Sequence, residues 1–70
     1  MKEITASMAG TILNIFVSSG SQVEIGQEVV MLESMKMEIP IESSTEGIVK
    51  EVKVNIGEFV NEGDVLIVLE

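Results

Sequence analysis

Glu33-Ser34-Met35-Lys36-Met37-Glu38 lies at the middle of the chain, and on either side of it the sequence repeats itself. Laid over residues 38–70, residues 1–33 give identical pairs at Ile4/Ile41, Ser7/Ser44, Gly10/Gly47, Val17/Val54, Gly20/Gly57, Val23/Val60, Gly26/Gly63, Leu32/Leu69 and Glu33/Glu70. Ile12/Val49, Ile15/Val52, Val29/Leu66 and Val30/Ile67 keep apolar character. Ser34, Met35, Lys36 and Met37 have no counterpart. One of them is a lysine, so a domain of two similar halves presents one amine at the joint between them.

Outward from the joint, six glycines at 10, 20, 26, 47, 57 and 63 fall at matching places in the two halves. Short apolar, β-branched stretches lie between them, which reads as strands separated by turns. β-branched residues dominate these stretches, so a helix is not expected. The spacing predicts eight strands near 2–6, 11–17, 22–25, 28–33, 37–42, 48–54, 59–61 and 65–69. In Ile48-Val49-Lys50-Glu51-Val52-Lys53-Val54 the alternation puts Ile48, Val52 and Val54 on the inner face, with Glu51 and Lys53 outside. The matching stretch then turns Leu13, Ile15 and Val17 inward and leaves Phe16 at least partly exposed. Residues 28–33 and 65–70 are near-continuous apolar runs, as expected of strands covered on both faces. Pro40, inside the alternating stretch 37–42, cannot donate to a ladder, so that strand should be an edge or have this position facing away from its neighbour. The expected fold is all-β: a flattened barrel or sandwich of two four-stranded antiparallel sheets with approximate twofold symmetry.

Seventy residues allow one domain, expected to span 1–70. The chain has no cysteine and no histidine, which removes disulfides, thiolate metal sites, the commonest general base and any Ser-His or Cys-His nucleophile pair. A self-contained enzyme is therefore the least favoured class. Twelve acidic residues against four lysines give a net charge of −8, which argues against binding a phosphate backbone. No apolar run has the length of a membrane span or the flanks of a signal peptide, and no Pro/Ala-rich or Ser-rich linker flanks the domain. A free-standing, monomeric, cytoplasmic protein is expected, with neither nucleic acid nor membrane as partner. Glu46, Glu62 and Asp64 read as solvated turn residues.

The strands at 28–33 and 37–42 are too close for a crossover and must form a tight hairpin with Met35 and Lys36 at its tip. Two-residue hairpins favour Asn-Gly or Asp-Gly, because their central residues commonly need positive φ. Met-Lys is a poor choice there, at a cost of about 1 kcal/mol per strained residue. A broken local rule in an otherwise consistent sequence points to function. A primary amine held out on a rigid hairpin can enter another enzyme's active site and attack an activated carboxyl group, forming an amide. Met35 and Met37 bracket that amine as a recognition element.

Met35-Lys36-Met37 within Glu-Ser-Met-Lys-Met-Glu-Ile-Pro-Ile resembles the biotin-attachment hairpin of biotin carboxyl carrier proteins and of the carrier domains of biotin-dependent carboxylases. Gly57-Glu58-Phe59-Val60-Asn61-Glu62-Gly63-Asp64-Val65-Leu66 is similar to the second-half signature of that biotinyl/lipoyl attachment family, Gly-x-x-Val-x-x-Gly-Asp-x-Leu, and Gly20 to Gly26 echoes it. The resemblance covers the whole chain and implies the barrel-sandwich fold. It implies a non-catalytic carrier: biotin protein ligase joins biotin to Lys36, and the biotinyl group shuttles a carboxyl from a biotin carboxylase to a carboxyltransferase. Met35 and Met37 are then recognised by the ligase or carboxylase, with Glu33 and Ser34 flanking the hairpin. Residues 18–27 are too compact for the protruding thumb of some bacterial acetyl-CoA carboxylase carriers, so a thumbless carrier of the acyl-CoA or pyruvate type is expected.

Lipoyl domains share this fold and hairpin lysine, and Glu33 is compatible with either family. Lipoate attached by a lipoyl ligase, alone or alongside biotin, is the second expectation; lipoyl hairpins typically present Asp-Lys-Ala, which ranks it below biotin. A third is an unmodified barrel-sandwich binding module, which needs no lysine at the tip.

Overall fold

β-branched runs interrupted by glycine turns give strands throughout. The computed structural model describes residues 2–70, and its regular elements are β1 (Lys2–Thr5), β2 (Gly10–Ile15), β3 (Gln22–Val23), β4 (Glu28–Ser34), β5 (Met37–Glu42), β6 (Gly47–Val52), β7 (Phe59–Val60) and β8 (Val65–Leu69). They form two four-stranded sheets, ordered β1-β8-β6-β3 and β5-β4-β2-β7, in which every pairing is antiparallel. The all-β, two-sheet fold expected from the repeat is the one found. β3 and β7 are shorter than the spacing predicts, and β2 and β6 each begin one residue earlier and end two earlier.

The repeat extends to the pairing register. Ile39↔Leu32, Pro40↔Met31 and Ile41↔Val30 in the central hairpin match Lys2↔Leu69, Glu3↔Val68 and Ile4↔Ile67 between the two ends of the chain. Ile12↔Leu32 and Ile15↔Val30 likewise match Val49↔Leu69 and Val52↔Ile67. Each half thus adds the same strands in the same order, and the joint hairpin is the counterpart of the paired chain ends.

Irregularities in the ladders correct two of the expectations. The register shifts between Ile12 and Asn14 and between Val49 and Glu51. An extra residue there, Leu13 in one half and Lys50 in the other, resets the alternation. Ile12 and Val49 are therefore the buried residues, while Leu13 is half-buried and Ile48 is exposed. Downstream of the bulge the expected parity holds: Val17 and Val54 are buried, Ile15 and Val52 pack against the core, and Phe16 is exposed. The apolar runs have the same origin. A shift between Glu28 and Val30, and its counterpart opposite Ile4 and Thr5, lets Val29 and Val30, and Leu66 and Ile67, turn inward consecutively. On β4 the outer face is not covered, because Glu28 and Glu33 are exposed, whereas on β8 Val68 is buried too and Leu66 to Leu69 are covered on both faces as expected.

The core is one cluster, with Ile12, Val23, Val29, Val30, Leu32, Val49, Val60, Leu66, Ile67 and Leu69 all but inaccessible to solvent. Four β-turns close it, at 18–21, 24–27, 55–58 and 61–64, each with a backbone bond from the fourth N–H to the first carbonyl. In each, the first residue's N–H also donates to the fourth residue's side chain: to Ser21 Oγ, Gln27 Oε1, Glu58 Oε1 and Asp64 Oδ2. Asp64 is thus a structural turn clamp as well as a solvated carboxylate. The third position needs positive φ, as at Gly63 (φ 89), a conformation with little steric cost only for glycine.

Candidate functional site: the β4–β5 hairpin tip

The longest ladder in the molecule is the β4–β5 pair, whose last rungs are Glu33↔Glu38 and Ser34↔Met37. Two residues remain to reverse the chain, Met35 at φ 52 and Lys36 at φ 65. Positive φ at both central residues is the backbone of a type I′ turn, whose twist matches that of the strands. The strain expected of Met-Lys at this position is therefore present in the backbone, at residues that rarely adopt it.

The turn holds its side chains away from the body. Met35 is 92% exposed and Met37 63%. Lys36 is exposed, and among the described residues its ammonium makes no hydrogen bond or ion pair. The last rung between β2 and the hairpin is Thr11↔Glu33, with Gly10 beside Ser34, so Met35 to Met37 extend past their neighbouring strand. Pro40 lies on β5, an outer strand of its sheet, as its missing N–H requires.

All five residues singled out in the sequence therefore sit within one turn and its two last rungs. Ser34 is half-buried at the base, and Glu33 is exposed and faces Glu38 directly. Like charges opposite each other weaken a ladder; Glu38 was not singled out in the sequence, although a two-residue tip at Met35-Lys36 already places it opposite Glu33. Gly10 was also missed. It is buried beside the hairpin base, and a Cβ on it would stand 2.6 Å from the Glu33 carbonyl oxygen. Its match with Gly47, outside any turn, was the available signal.

The tip is not a concave site. A groove of about 530 Å³ lies where the two halves meet, lined by Ile15, Val17, Val52 and Val54 among others, and Lys36 is not part of it. Among the described residues no cluster of acidic side chains could hold a metal ion. An exposed amine on a projecting turn, in a chain without histidine or cysteine, can act as an acceptor that another protein acylates.

A family model, biotin–lipoyl, described as "Biotin-requiring enzyme", matches residues 2–69. The chain belongs to this family. It is 58% identical over 66 residues to the biotin/lipoyl attachment protein of Bacillus subtilis, covering 94% of this chain and 90% of that one. It is 38% identical over 68 residues to the biotinylated protein TB7.3 homolog of Mycobacterium leprae, covering 97% and 96%. The urea carboxylase of Kluyveromyces lactis contains the same fold, with a TM-score of 0.90 and 25% identity across 99% of this chain. There the chain spans 6% of the larger enzyme. A biotin–lipoyl fold thus occurs both as a chain of about this length and as a small part of a carboxylase.

Proposed function

We propose that Lys36 is the acceptor for covalently attached biotin and that this chain is a carrier, not an enzyme. The observation that carries this reading is the amine of Lys36, without a partner among the described residues, on a left-handed two-residue turn at the joint of a domain-length repeat. The fit to the group is chemical: attachment needs one accessible primary amine and no pocket. Lys36 Nζ attacks the carbonyl of the activated acyl adenylate, the amide forms, AMP leaves, and the amine loses a proton. With no histidine or cysteine in the chain, the base belongs to the partner enzyme, a biotin protein ligase. The ring, when bound, accepts a carboxyl group at a biotin carboxylase and releases it at a carboxyltransferase. The chain's own part is to hold the attachment point clear of its surface on a stiff two-stranded arm, with Met35 and Met37 offering apolar contacts on either side.

Lipoate is the second reading, favoured by the name of the Bacillus relative, which couples both groups. The turn and its amine serve either acyl group. Incubation with ATP and biotin plus biotin protein ligase, or with lipoate plus lipoyl ligase, is followed by intact mass. Addition of one biotinyl group is expected, and Lys36→Arg should lose it with its melting temperature nearly unchanged, since the side chain is exposed. A wild-type chain gaining only lipoate reverses the ranking; a Lys36→Arg variant that is still modified removes Lys36 as the acceptor.

A further inference from the structure

Beyond the Thr11↔Glu33 rung the tip overhangs, and its direction depends on what holds the last supported residues of β4. Gly10 is the residue at that edge, buried and paired with Val60 on its other side. Its φ is not positive, so space and not backbone conformation demands glycine there. A methyl group at Gly10 would lie 2.6 Å from the Glu33 carbonyl oxygen and 3.5 Å from Ser34 Cβ. Both partners belong to the strand that ends at the tip, and the nearer is backbone, which cannot turn aside as a side chain can.

The repeat supplies an internal comparison. At Gly47 the equivalent methyl would meet the carbonyl oxygen of Glu70 at 2.9 Å and Leu69 Cβ at 3.3 Å. The close approach is therefore a property of the fold, built twice. What differs is the consequence. Glu70 lies beyond the end of β8, whereas Glu33 is hydrogen-bonded between β2 and β5 and leads directly into Met35 and Lys36.

We infer that Gly10 is a positioning residue for the acylation of Lys36: by letting β2 close on the Glu33 carbonyl, it sets the direction in which the overhanging tip points. The inference rests on Lys36 as the acceptor. Gly10→Ala must open the 2.6 Å gap toward the 3.4 Å at which ordinary contact begins, and the residues displaced lie just before Lys36. A reacting group misplaced by about 1 Å costs on the order of 100-fold in rate. Biotinylation of Gly10→Ala by a biotin protein ligase should therefore fall roughly 10- to 100-fold in kcat, with KM little changed. Gly47→Ala should stay close to the wild-type rate.

Steady-state biotinylation of wild type, Gly10→Ala and Gly47→Ala, below the melting temperature of each, tests this. Amide shift changes in Gly10→Ala should concentrate at residues 33–38. A wild type that takes no biotin defeats the reading of Lys36 itself. A biotinylated wild type with a Gly10→Ala variant that keeps pace defeats only the role of Gly10. Equal losses in both glycine variants, or a Gly10→Ala chain that does not fold while Gly47→Ala does, would show that the contact serves stability and not aim, and would also overturn it.

Discussion

Rebuilding the hairpin tip as Asn-Gly, through the double substitution Met35→Asn and Lys36→Gly, should make this domain more stable while removing its acceptor amine. Met35 and Lys36 both sit at positive φ, 52 and 65, a region that costs an ordinary L-residue about 1 kcal/mol. Their side chains offset little of that cost, because Met35 is 92% exposed and Lys36 has no partner among the described residues. Asn-Gly is the preferred pair for a turn of this hand. The introduced glycine adds about 0.5–1 kcal/mol of unfolded-chain freedom, which opposes the gain. Against about 2 kcal/mol of relieved strain, the net stabilisation is about 1–1.5 kcal/mol. For a domain of this size that raises the melting temperature by roughly 4–12 °C. Thermal unfolding followed by circular dichroism reads the shift, and urea unfolding should show a higher midpoint at unchanged slope. An unchanged or lower melting temperature would mean that the turn holds Met and Lys without strain, and the argument from a broken turn rule to function would fall with it.

Two further substitutions probe the body of the fold. Leu32 is fully buried and pairs across its strand with Ile12 and Ile39, so Leu32→Ala should cost about 2–5 kcal/mol, a large share of the stability of so small a domain. Ile25 is 70% exposed in a turn, and Ile25→Ala should change the denaturation midpoint by no more than about 0.5 kcal/mol equivalent; similar losses at the two sites would contradict the assigned core. Ser43 is the buried polar residue, its hydroxyl donating to the Thr45 carbonyl and accepting from the Thr45 N–H. Its counterpart in the repeat is Ala6, equally buried and with matching backbone bonds to a glycine turn. Ser43→Ala should therefore cost at most about 1 kcal/mol by chemical denaturation, and a larger loss would show that the two halves are not interchangeable there.

The hairpin and its lysine were legible because each rests on local chemistry. Two strands separated by a pair of residues can only reverse tightly, and Pro40 can sit only where its missing N–H is not needed. The inner and outer faces of β2 and β6 were only half legible. Strict alternation placed Ile48 and Leu13 inside, where the structure buries Val49 and Ile12. A bulge inserts one residue without a composition of its own, so the period breaks at a point the sequence does not mark. Read without its bulge, Val29-Val30 looked like part of a strand covered on both faces; on β8, where Val68 is buried too, that reading holds.

What the sequence determined by itself was the doubling, the all-β class, the glycine punctuation between strands and the isolated lysine at the joint. Spacing, side-chain branching and the conformational range of glycine and proline act between near neighbours. The tertiary structure decided which residues meet across strands: the bulges that reset the faces of β2 and β6, and Gly10 closing on the Glu33 carbonyl beneath the tip. Those contacts join residues far apart in the chain through register and backbone approach, and register is a property of two strands together that neither carries alone.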